Sequence, residues 1–152
     1  MSRTTFLLYA SVAVLAVCGA SLSVRADALG AIEARIKLMK VDGEQARLGL
    51  DMIKGTVPFD LAKAKAIFAT FVDAAQKEPE LFPEDSKTGD GTTASPKIWE
   101  DMAGFKAAYA KFGKDSADAL QATTDLNSFK AAFGTATQSC GACHQLYRVK
   151  KG

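Results

Sequence analysis

Four stretches of this 152-residue chain carry apolar side chains at alternating spacings of three and four. The first is Leu29, Ile32, Ile36, Met39, Gly43, Ala46, Leu50 and Ile53. The second is Leu61, Ala64, Phe68, Phe71 and Ala75. The third is Ile98, Met102, Phe105, Tyr109 and Phe112. The fourth is Leu126, Phe129, Phe133, Ala136, Cys140, Cys143 and Tyr147. Each stripe covers one face of a helix, and the 3-4 alternation favours helices packed near-antiparallel at about 20°. No segment alternates with period two, no segment repeats, and nothing marks a second domain. The pattern predicts an all-α, antiparallel up-down four-helix bundle.

Punctuation agrees with four helices. Gly55 and Pro58 end the first, and Asp60 can cap the second. Residues 78–95 hold prolines, glycines and Ser/Thr residues and read as a long loop. Ser95-Pro96 reads as an N-cap followed by proline at the first helical position, opening a third helix to about Phe112 or on to Leu120. Asp125 or Asn127 opens the fourth. One signal disagrees: Asp42-Gly43 looks like a turn inside the first helix, where glycine costs roughly 1 kcal/mol relative to alanine. The stripe keeps register across it. Gly43 is then either a tolerated glycine or kink, or a gap that leaves room for a flat group beside Met39.

Residues 1–26 read as a secretory signal. Arg3 supplies the positive charge, Phe6 to Val17 is uncharged and apolar, and Val24-Arg25-Ala26 fits cleavage after Ala26. The apolar run is shorter than the roughly 20 residues needed to span a bilayer. A lipid anchor on Cys18 is disfavoured by Val17 before it. The expectation is an exported, periplasmic domain, 27–152, with no membrane span. Of the 19 basic residues two lie in the signal, leaving 17 against 17 Asp and Glu. A neutral domain argues against nucleic-acid binding.

The mature chain keeps two cysteines and the one histidine, within Cys140-Gly141-Ala142-Cys143-His144. C-x-x-C-H is the attachment signature of c-type haem: two thiols for the vinyl groups and an adjacent imidazole for the iron. At i, i+3 and i+4 the three share a helix face, and the cysteines continue the fourth stripe. One covalently attached haem c per chain, against the last helix, with His144 as proximal iron ligand, is the expectation. Zinc wants about four ligands, and no other Cys or His remains. A thioredoxin-like pair wants a strand–helix setting in a parallel sheet. No acid, base or nucleophile set surrounds the motif, so an enzyme is not expected.

The ending Cys140-x-x-Cys143-His144-x-x-Tyr147-Arg148 resembles the C-x-x-C-H-x-x-(Y/F)-R ending of the class II cytochromes c, the cytochrome c-prime family. Lys54-Gly55 with Pro58-Phe59-Asp60 resembles the family's turn after its first helix. Pro96-Lys97-Ile98-Trp99 resembles the opening of its third. The resemblance spans the mature chain. It implies that the distal face of the haem decides function. Met39, in Lys37-Leu38-Met39-Lys40, falls where the low-spin cytochrome c-556 branch supplies a methionine ligand; the competing reading is a core methionine. Met52, judged off the inward stripe, and Met102 are weaker candidates. The resemblance also places Arg35 and Arg148 near the haem propionates, while Arg35 reads equally as a solvated helix arginine. Tyr147, Phe105, Phe133 and Trp99 read as packing.

With His144 and Met39 both on the iron, the chain is a one-electron carrier for unidentified periplasmic redox proteins. With Met39 off it, the chain is a five-coordinate, high-spin binder of nitric oxide or carbon monoxide. Lys37, Lys40, Lys150 and Lys151 are candidates for a docking patch. Monomer and homodimer both remain open.

Overall fold

The computed structural model describes residues 13–89 and 91–149, with side chains from residue 27 onward. The signal at 1–26 therefore lies outside the described residues, apart from the backbone of 13–26. Lys150 and Lys151 also lie outside them. The helices are α1 (Ala13–Lys54), α2 (Leu61–Lys77), α3 (Lys97–Glu100), α4 (Met102–Ala122) and α5 (Leu126–Tyr147). α1, α2, α4 and α5 form an up-down four-helix bundle, with no strand among the described residues.

Helix ends follow local chemistry. Gly55, at φ 74, closes α1 in the left-handed region that glycine enters without penalty. The Asp60 carboxylate accepts from the Lys63 N–H at 3.0 Å and caps α2. Asp125 and Ser128 cap α5 reciprocally, each side chain accepting from the other's backbone N–H. The third predicted helix is broken in two. Asp101 takes a non-helical φ of −135° and caps α4 by accepting from the Gly104 N–H, leaving α3 a single turn. The Ile98–Met102 spacing bridges that break, so apolar periodicity alone did not show it. The predicted loop at 78–95 holds two 3-10 turns, Glu78–Leu81 and Glu84–Ser86, and buries both Glu78 and Ser86.

The stripe predicted for α1 also needs correction. Its buried positions are Ala28, Ile32, Arg35, Asp42, Gly49 and Met52, whereas Leu29 and Leu50 face outward. Two inward positions are charged, and a count of apolar residues passes over them. Met52, expected off the inward face, is buried at 1% exposure. It sits near the α1–α2 turn, lining a small groove with Leu48, Val57 and Phe59.

The core is aromatic. Phe68 and Phe129 stack edge-on with centroids 5.6 Å apart, and Phe129 meets Phe133 at 5.3 Å. Towards the other end Phe105 contacts Phe82, Tyr109 and Tyr147 at 4.7, 5.1 and 5.2 Å. Gly49 is what lets α1 approach α5, because a Cβ there would drive into the Phe133 ring. Gly49→Ala gains about 1 kcal/mol of helix propensity, against an overpacking cost of about 1–3 kcal/mol. A lowered melting temperature is the expected result. Gly134→Ala on α5, where an added Cβ meets nothing within 4 Å, is expected to hold or raise it.

Candidate haem site

α1, α4, α5 and the segment 91–94 enclose a cavity of about 650 Å³, within the roughly 300–1,000 Å³ of ligand and cofactor sites. Its wall carries Cys140, Cys143 and His144 from α5 and Met39, Ile36, Gly43 and Ala46 from α1. Phe105, Ala108, Tyr109 and Phe112 come from α4. Tyr147 donates the final turn of α5 to the wall, and Arg148 follows it. Main-chain hydrogen bonds fasten this C-terminal end to the rim: Ser95 N–H donates to the Tyr147 carbonyl and Val149 N–H to the Thr93 carbonyl, both at 2.9 Å.

Arg35, Met39, Cys140, Cys143, His144 and Arg148, the residues that sequence pointed to as holding the group, all line this one cavity. Met39 is 37% exposed, and its exposure is to the cavity it lines. Of the three methionines among the described residues, Met39 alone lines it; Met52 lies in the other groove and Met102 packs against the core. Gly43 also lines the cavity, and an added Cβ there would meet nothing within 4 Å. The space beside Met39 is open at this position. Trp99 is not on the wall; its indole N–H reaches the carbonyls of Phe82 and Pro83 at 3.1 and 3.2 Å and steadies the loop. Phe133 belongs to the far core.

The donor set suits a thioether-linked haem. Cys140 and Cys143 are unbridged and half-buried. Burial pushes both thiols above their ordinary pKa, Cys143 to about 11 with Cys140 and Glu78 adding to it. These are neutral thiols rather than the reactive thiolate of a redox C-x-x-C. Burial, and next the Arg148 charge, lower the His144 pKa, favouring the neutral imidazole that a metal requires.

Arg35 is not a solvated arginine. It is 4% exposed, above the Phe82 ring at 4.6 Å. Its guanidinium donates to the Leu81 carbonyl at 3.0 Å, and to Ser86 Oγ, the Ser86 carbonyl and Thr92 Oγ1 at 2.8 Å each. Every one of these acceptors is neutral. A buried cation held only by neutral groups on a cavity wall fits an anionic substituent of the guest, as a haem propionate is. Arg35→Leu abandons those acceptors at about 1–3 kcal/mol for each one left buried and unpaired. Urea unfolding is expected to show a large loss, which Arg35→Lys restores only in part.

Sequence reasoning missed a group of buried acids beside the cavity. Glu78 is 0% exposed and Asp42 9%. The Tyr109 hydroxyl donates to Glu78 Oε2 at 2.7 Å. Glu78 Oε1 and both Asp42 oxygens have no hydrogen-bond partner. Burial drives the Glu78 pKa up, the Tyr109 hydrogen bond opposes it and the Asp42 charge adds to it, reaching about 8. Burial and the Asp73 charge raise Asp42 to about 7. Tyr109 is pushed up by burial and by Glu78, so it stays a donor. Between about 4.5 and about 8 the folded chain keeps a proton on Glu78 that the unfolded chain has released. Glu78's contribution to stability is thus full below that window and lost as pH rises through it. Nothing local in the sequence marked Glu78, whose partner lies 31 residues away.

The family model for Cytochrome C′ matches residues 30–148, which takes in every element of this cavity. The chain belongs to the cytochrome c′ family. Among its relatives, a cytochrome c′ of Rhodopseudomonas palustris is 38% identical over 143 residues, covering 93% of this chain and 96% of the relative. A cytochrome c-556 of Agrobacterium fabrum is 41% identical over 126 residues, covering 82% and 84%. The structure of cytochrome c′ from Rhodopseudomonas palustris superposes with a TM-score of 0.77 at 38% identity, covering 80% of this chain and 98% of that one. The cytochrome c′ and c-556 proteins are electron-carrying haem proteins whose haem c is covalently attached. Cys140, Cys143 and the cavity above them fit that cofactor.

Proposed function

We propose that this cytochrome is a periplasmic one-electron carrier of the c-556 kind, with His144 and Met39 as the two axial ligands of its haem iron. The observation that carries this reading is the place of Met39: among the described methionines it alone reaches the cavity that holds Cys140, Cys143 and His144. Haem c bound there supplies the reversible one-electron couple of its iron. The protein side is arranged around that couple. Cys140 and Cys143 hold the group covalently, so retention does not depend on axial bonds. His144 presents a neutral nitrogen. The Met39 thioether is a weak donor that favours the ferrous state and raises the potential. Arg35 and Arg148 balance the propionates. Phe105, Phe112 and Ile36 line the cavity and would shield a bound haem from water, and the packed bundle would limit rearrangement when its charge changes.

Cleavage after Ala26 and export to the periplasm belong to the same proposal. No helix among the described residues is long and apolar enough to cross a membrane. The acceptor and donor are exported redox proteins, for which exposed Lys40 on the cavity wall, with exposed Lys37 one turn before it, offers a basic rim. The outcome that would favour a gas-binding role is direct. Carbon monoxide added to the reduced holoprotein is expected to leave its optical spectrum unchanged on mixing. Rapid, stoichiometric carbon monoxide binding would show an open distal position and overturn the assignment of Met39.

A further inference from the structure

We propose that Glu78, held by Tyr109 beneath the haem cavity, is a redox-linked proton-binding site, taking up one proton when the iron is reduced and releasing it on oxidation. The proposal rests on the haem's one-electron couple and not on which axial ligands the iron has.

The geometry is that of a buried acid with one oxygen held and one free. Tyr109 donates to Glu78 Oε2 at 2.7 Å, while Oε1 has no partner and the residue is fully buried. A fully buried carboxyl with an idle oxygen is costly as an anion and inexpensive as an acid. Tyr109 and Asp42 line the cavity, and the Tyr109 hydroxyl links Glu78 to it. The charges facing Glu78 are mostly of its own sign or neutral. Asp42 on α1 acts on it directly, and Asp73 on α2 acts on Asp42. Cys143 on α5 feels Glu78, and Cys140 feels both acids. On the basic side, Arg35 is engaged by four neutral acceptors, and Lys106 of α4 pairs with exposed Glu80 at 3.1 Å. No cation therefore pairs with Glu78 among the described residues. The positive charge that would hold its anion is the net charge of the ferric haem core, which reduction removes. A bound metal is the largest local charge in such a site and sets the protonation of its neighbours.

The step balances simply. One electron arrives from the donor protein at the iron, and one proton arrives from solvent at a Glu78 carboxylate oxygen. On oxidation both leave. No other bond forms or breaks.

The test is redox titration of the holoprotein against pH with redox-difference infrared spectroscopy alongside. In the wild type the potential is expected to fall with rising pH by up to about 59 mV per unit, the tenfold change in proton concentration converted for one electron. A protonated-carboxyl C=O band that shifts in D2O is expected to appear on reduction. Glu78→Gln, which mimics the protonated acid, is expected to flatten that segment and abolish the band while Cys140 and Cys143 keep the haem. Tyr109→Phe is expected to move the segment to higher pH, because the anion loses its donor. A wild type with no carboxyl band on reduction overturns the proposal without any variant. So does a slope and band that survive Glu78→Gln, or one that only Asp42→Asn removes. The axial ligands are read separately from the spin state, so failure here and failure of the Met39 assignment are distinguishable.

Discussion

Met39→Ala is expected to turn a low-spin haem protein into a high-spin one that binds carbon monoxide readily. In the reduced state the sharp, split α/β bands of the wild type should give way to a single broad band. The alanine methyl has no lone pair for the iron, and neither other described methionine lines the cavity to replace it. The potential should fall as well, since a thioether that favours ferrous iron has been removed. The fold should tolerate the change. A buried Met→Ala costs about 2–5 kcal/mol, but Met39 is 37% exposed into the cavity and loses less packing than that. A folded Met39→Ala protein that stays low-spin would mean that another residue is the ligand.

The second large effect is all-or-none. With Cys140→Ser and Cys143→Ser together, haem is expected to leave the chain in acidified organic solvent, whereas the wild type keeps it. Serine holds the same helix face and leaves His144 in place, so coordination remains while both covalent bonds are gone. Each single variant should still retain haem through its remaining thioether. Haem that stays with the double variant after extraction would contradict attachment at these two positions.

How much of this was legible depended on how local each signal was. Asp60, Gly55 and Asp125 mark helix ends through contacts within a few residues, and each stands where the sequence placed it. Cys140, Cys143 and His144 were legible because one helical turn brings them together. The α3–α4 break at Asp101 was not, because the apolar spacing runs through it. The inward line of α1 was misread where it is polar. Arg35 is buried because Leu81, Ser86 and Thr92 come round from a loop some fifty residues away to receive it. Glu78 was invisible for the same reason. A stripe reading assumes that inward means apolar, and a cofactor cavity is where that assumption fails. Asp42 and Arg35 sit on the cavity wall, and their spacing from Met39, three and four residues, puts them on its face of the helix.

The axial ligand set is the central claim, and X-ray absorption at the iron edge of the oxidised and reduced holoprotein tests it most directly. One sulfur scatterer beside five nitrogens is expected, present in the wild type and absent in Met39→Ala. An iron site with nitrogen scatterers alone in the wild type would contradict it and leave an open distal face.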